Sequence, residues 1–111
     1  MSDQAIKELK AMAHPLRLRI LEVLSRGERN VGQIEELAKI GQPALSQQLS
    51  VLRKAGLVQT RKEAKLVYYR LGVEQVASLA KTLGDLLPDH NAPKPAVRTS
   101  APGAANFARM I

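Results

Sequence analysis

The sequence predicts a mainly α-helical domain with one small β-hairpin, in the order ααααββα. Three observations carry this reading. Apolar residues recur at spacings of three and four through residues 5–54 and again from Val73 to Leu87. Pro15, Gly27, Gly41, Pro43, Gly56 and Pro88 punctuate those runs at places where helices start or stop. Between Leu57 and Leu71 the pattern changes to a period of two, rich in Val, Thr and Tyr.

The first helix is expected from a cap at Ser2 or Asp3 to about Ala13, with Ile6 and Leu9 on one side together with Met12 or Ala13. His14-Pro15 ends it, because the residue before a proline is pushed out of the α region. Pro15 then opens a second helix whose Leu16, Ile20, Val23 and Leu24 form a core stripe, with Arg17, Arg19, Glu22 and Arg26 at its rim. Gly27 supplies its stop. Asn30-Val31-Gly32 reads as a turn or a single strand residue. A third helix from Gln33 to Ile40 follows, with Ile34, Leu37 and Ala38 inward.

Gly41 breaks that helix, and the stretch from Gly41 to Val58 is the centre of the chain. Gln42 flanks its helix, Pro43 suits the first helical position, and Gly56 can take the left-handed conformation that closes a helix. Leu45, Leu49 and Leu52 fall on one stripe, leaving Ser46, Gln47, Ser50, Arg53 and Lys54 on the opposite face. Two hydroxyls and an amide come first and two cations last. That order suits a helix whose first half meets base edges and whose last half meets phosphates. Two short helices joined by a Gly-containing turn, the second with a polar outer face, make a helix-turn-helix. An ordinary amphipathic helix has the same look, so the flanking sequence has to decide.

It continues as a hairpin: Leu57 to Arg61 and Leu66 to Leu71 flank Lys62-Glu63-Ala64-Lys65. Val67, Tyr69 and Leu71 share one face, and Leu66, Tyr68 and Arg70 the other. Arg61, Lys62 and Lys65 make its tip basic, the shape of a wing that reaches phosphate or the minor groove. The last helix runs from Val73 to Leu87 and Pro88 stops it. Its wide stripe, including Leu79, Leu83, Leu86 and Leu87, suits a dimer interface together with Ile6 and Leu9 of the first helix. Residues 1–90 thus form the folded domain, and 91–111, rich in Ala and Pro without a period, are expected to be a disordered tail.

Charge narrows the partners. With 17 Lys and Arg against 10 Asp and Glu the chain carries +7, and residues 42–70 hold six basic groups against one acidic. An anionic partner is favoured, nucleic acid ahead of membrane. The absence of cysteine excludes disulfides, thiolate metal sites and thiol sensing. No run approaches a membrane span and no secretion signal is evident, so a cytoplasmic location is expected. An enzyme is not expected, because no His stands beside a nucleophile or paired acid and no Gly-rich phosphate loop occurs. Neither a cofactor nor a metal is expected.

The segments MAHPLRLRILEVL at 12–24, GQPALSQQLSVLRKAGLV at 41–58 and RKEAKLVYYRL at 61–71 resemble the ArsR/SmtB family of small winged-helix repressors. The wording IGQPALSQQL is most similar to the branch of the sulfide- and persulfide-responsive BigR and SqrR regulators. The resemblance implies a homodimer that binds an inverted-repeat operator in double-stranded DNA and is released by an inducer. It implies base reading by Ser46, Gln47 and Ser50, and phosphate contacts from Arg53, Lys54, Arg61, Lys62 and Lys65, with Gln42 at the edge of the same surface. The departure lies in sensing. The branch's cysteines would fall near Glu22 and Pro88, and the family's terminal-helix metal site finds only Asp85, Asp89 and His90, interrupted by Pro88. The DNA-binding half matches and the sensing half does not, which leaves the inducer unknown. A winged-helix nucleoid component or protein-interaction module without operator specificity is the alternative.

Overall fold

Each helix of the computed structural model, which describes residues 1–88, begins where local chemistry dictates. Helix α1 (Asp3–Met12) starts at Ser2, whose side chain accepts from the Ala5 amide. Helix α2 (Pro15–Leu24) starts at His14, whose Nδ1 accepts from the Leu16 amide at 3.1 Å. Strand β1 (Arg29–Asn30) runs straight into helix α3 (Val31–Ala38). There a capping box joins them: the Asn30 side chain accepts from the Gln33 amide, and the Gln33 side chain accepts from the Asn30 amide. Lys39, in the left-handed conformation, closes α3.

Helix α4 (Ala44–Lys54) begins one residue later than the sequence suggests, with Pro43 as its cap residue. Its far end is a Schellman closure. Gly56 sits at φ +81° and donates to Arg53, while Leu57 donates to Leu52, so two orphan carbonyls are satisfied in turning towards strand β2 (Val58–Glu63). Strand β3 (Leu66–Leu71) pairs antiparallel with β2 across the two-residue turn Ala64-Lys65. Lys62 and Glu63, expected in the loop, therefore belong to the strand.

The sheet has three strands in the order β1-β3-β2, not two. Arg29 pairs with Tyr69 and Asn30 with Tyr68. The order is thus ααβααββα. Helix α5 (Val73–Gly84) is shorter than expected, leaving Leu86 and Leu87 beyond its end.

Ile20, Leu24, Ile34, Leu45, Leu49, Leu52, Leu57 and Val58 are buried together where α2, α3 and α4 meet the base of the hairpin. Burial of each such side chain contributes about 1.5–3 kcal/mol, which holds α4 against the domain by its leucine stripe. Three apolar residues depart from expectation. Leu37 is 54% exposed, because the Asn30 cap sets the phase of α3 so that Ile34 and Ala38 point inward. In α1 the inward face is Ala5, Glu8 and Ala11, whose small alanines allow a close approach, while Ile6 is 41% exposed and Leu9 half-buried. Leu79 is only 2% exposed and so is covered by its own chain. The buried Glu8 carboxylate accepts from Gln4 Nε2, which also donates to the Ala55 carbonyl.

No helix among the described residues is long and apolar enough to cross a membrane. The expected tail at 91–111 lies outside the described residues.

Candidate nucleic-acid interface

With Leu45, Leu49 and Leu52 buried, α4 has only one face to offer. Ser46, Gln47, Ser50, Arg53 and Lys54 are all exposed on it. Ser46, Ser50, Arg53 and Lys54 line a groove of about 380 Å³ whose other wall is Tyr69 of β3. The two cations stand in the last turn, where they also complement the negative end of the helix dipole. Gln42 acts through Ser46: its Oε1 accepts from both the Ser46 hydroxyl, at 2.6 Å, and the Ser46 amide, at 3.1 Å. The proline cap lacks a side-chain acceptor of its own, so Gln42 satisfies that orphan amide and orients the hydroxyl.

Lys62 and Lys65 are exposed on the hairpin as expected. Arg61 is differently occupied. Its guanidinium meets Glu28 in a two-pronged ion pair at 2.8–2.9 Å, contacts Glu63, and lies 4.8 Å from the centre of the Tyr68 ring. Sequence reading placed Arg61 with Lys62 and Lys65 as one basic tip, but two carboxylates already engage it. The partner escaped detection because Glu28 lies 33 positions away.

The Arg61 hydrogen bonds hold the Glu28 carboxyl below its ordinary range; desolvation opposes this, and the charges of Arg61 and Arg70 add to it. Hydrogen bonds that Arg61 donates to Glu28 and Glu63 likewise raise its affinity for its proton. A carboxyl depressed on folding contributes its stabilisation in full above its ordinary value of 4.5 and loses it as pH falls through the lower folded value. The Arg61 Nε–H NMR signal should therefore persist as bonded through pH 5 and collapse only in more acid solution. Collapse near neutral pH would show that the pair does not form.

Two contributors have no sequence signal. Tyr69 becomes a groove wall through strand pairing. Gln48 accepts from Arg17 Nη1 at 2.8 Å, and the same guanidinium donates to the carbonyls of Ala11 and Lys10 at the end of α1. Among the described residues no group of three or more His, Cys, Asp or Glu could hold a metal. Asp89 and His90 lie outside the described residues.

Comparisons with known proteins agree with this geometry. Residues 14–60 match the profile of the bacterial regulatory protein, arsR family. The chain is 51% identical over 75 residues to the biofilm growth-associated repressor of Agrobacterium fabrum, covering 68% of this chain and 64% of that protein. It is 44% identical over 82 residues to the transcriptional activator HlyU of Vibrio cholerae, covering 74% and 76%. A solved homodimeric winged helix-turn-helix DNA-binding domain from Mycobacterium bovis, Mb0332, superposes with a TM-score of 0.64 at 35% identity, covering 80% of this chain and 82% of that one. These relatives are regulators rather than enzymes. With a buried leucine stripe, an exposed polar face on α4 and a β-hairpin that follows it, the chain belongs to the ArsR family of winged helix-turn-helix DNA-binding transcription regulators.

Proposed function

We propose that the protein is a cytoplasmic homodimeric repressor that binds an inverted-repeat operator and is released by an inducer. The exposed face of α4 carries this reading. Its uncharged polar residues precede its cations, and its register is fixed by three buried leucines and a closed C-terminus. Ser46, Gln47 and Ser50 meet base edges; Arg53, Lys54, Lys62 and Lys65 meet phosphates, and Gln42 sets the Ser46 hydroxyl. Arg61 joins them only by exchanging a carboxylate for a phosphate. Paired recognition helices would enter successive major grooves about 34 Å apart.

Residues 1–90 serve as the DNA-binding and dimerisation domain. The seam is built from α1, α5 and the turn after α5: Ile6, Leu83, Leu86 and Leu87 are 41%, 40%, 70% and 63% exposed, more apolar surface than such short segments leave wet without a partner. Leu9 supports it from a half-buried position, and Leu79 supports it from inside the protomer. The homodimer known for Mb0332 supports the same assembly.

The test is binding to DNA from the protein's own upstream region against a scrambled duplex at near-physiological salt. A strong preference for the native sequence is expected. Replacing Gln47 or Ser50 by Ala should cost about 1–3 kcal/mol at the base pair it reads and relax preference there alone. Equal binding to both duplexes would replace the repressor reading with that of a nucleoid or interaction module.

A further inference from the structure

A cavity of about 450 Å³ lies apart from the DNA-facing groove and shares no residue with it. Arg19 and Glu22 reach it from the outward side of α2, opposite Ile20 and Leu24, because positions i and i+3 share a helix face, and Arg26 lines it from the turn that follows the helix. Arg29 enters from β1, where pairing with Tyr69 fixes its backbone. Val23 and Leu37 supply apolar wall, which gives the exposed Leu37 a place in the structure.

Three guanidinium groups thus face one small space with a single carboxylate among them. None of the three is ion-paired among the described residues, in contrast to Arg61 with its two acidic partners. Arg19 Nη1 donates to the Ala38 carbonyl and Arg29 Nη1 to the Glu28 carbonyl, so each is anchored by one arm with the rest of its fork uncommitted. Arg29 Nε is buried and has no hydrogen-bond partner. A buried donor on a cation is costly until an acceptor reaches it, and crowded like charges are relieved by an anion. The planar forks match carboxylate and phosphate oxygens, and the volume lies in the range of small-molecule sites.

We propose that this cavity binds a small organic polyanion, a short carbon skeleton bearing two or more carboxylate or phosphate groups. The arginines hold the anionic ends while Val23 and Leu37 cover the skeleton. Glu22 opposes the charge and excludes monoanions, which gain too little to offset its repulsion.

The experiment titrates the full chain at constant ionic strength with citrate, succinate, inorganic phosphate and acetate, following the arginine Nε–H NMR signals and heat. Citrate and succinate should saturate and shift the signals of Arg19, Arg26 and Arg29, with phosphate weaker and acetate inert. The double variant Arg19→Gln/Arg26→Gln should lose affinity roughly tenfold or more. Glu22→Gln should gain affinity, a change that loss of folding cannot imitate. Arg53→Gln/Lys54→Gln, which disarms the DNA face, should bind these anions as the parent does. Shifts confined to α4 and the wing, linear titrations, binding that survives the arginine double variant, or phosphate binding as tightly as citrate would each overturn the proposal.

Discussion

Raising salt from 50 to 200 mM should weaken operator binding by about 10⁴-fold, because roughly eight phosphate contacts per dimer give a slope near −7 in log K against log salt. The proposed contacts are Arg53, Lys54, Lys62 and Lys65 of each protomer, exposed and without a carboxylate partner among the described ion pairs. Arg61 is left out for a physical reason. Glu28 and Glu63 already neutralise it, so presenting it to a phosphate brings little net positive charge to the DNA. Lys62→Gln should therefore flatten the slope by about 2 in the dimer, one lost contact per protomer. Arg61→Gln should leave the slope nearly unchanged. Filter-binding or fluorescence anisotropy across a salt series decides the matter, and an equal flattening by both variants would show that Arg61 abandons its carboxylates for DNA.

Gly72→Ala should destabilise the domain by roughly 3 kcal/mol or more, beyond ordinary overpacking because the obstacle is backbone. A Cβ at Gly72 would stand 2.3 Å from the Gly56 carbonyl oxygen and 3.2 Å from the Leu57 carbonyl carbon. Neither can move cheaply. Gly56 is the left-handed closure of α4, and the Gly72 amide donates to the Leu57 carbonyl at 2.7 Å, so chain entry to the hairpin and chain exit from it are pressed together. For a domain of this size the loss corresponds to a fall in melting temperature of about 12 °C or more. Thermal unfolding followed by circular dichroism would check it. A melting temperature within a few degrees of the parent would mean that the two segments can separate, and that the end of α4 is held less firmly than the structure indicates.

These two expectations differ in how far the sequence alone could have reached them. The inward stripe of α4 and the stop at Gly56 follow from spacing and from the conformational freedom of one glycine, both local properties. The exposed polar face follows by elimination. Other features depend on partners distant in the chain. Strand β1 has two residues and exists because Tyr68 and Tyr69 pair with it. The neutralisation of Arg61 by Glu28 and the contact of Gly72 with Gly56 likewise arise only when the hairpin folds back. On the short helices the stripe is wide enough for a neighbouring residue to compete for the inward position. In α3 the cap at Asn30 settled that contest against Leu37, and in α1 close packing through Ala5 and Ala11 settled it against Ile6.

The guanidinium of Arg17 has a mechanical meaning. It grips the last carbonyls of α1 with one edge and Gln48 of α4 with the other, so a single rigid plane spans the helix at the proposed seam and the proposed recognition helix. A tilt of α1 cannot be absorbed by loose chain between them, since the bonds to Arg17 would have to break first. In a dimer joined through α1, the distance between the two reading heads is then governed by a strut rather than a hinge. In that proposed dimer, a ligand or substitution that altered the seam by an ångström would act on half-site spacing directly.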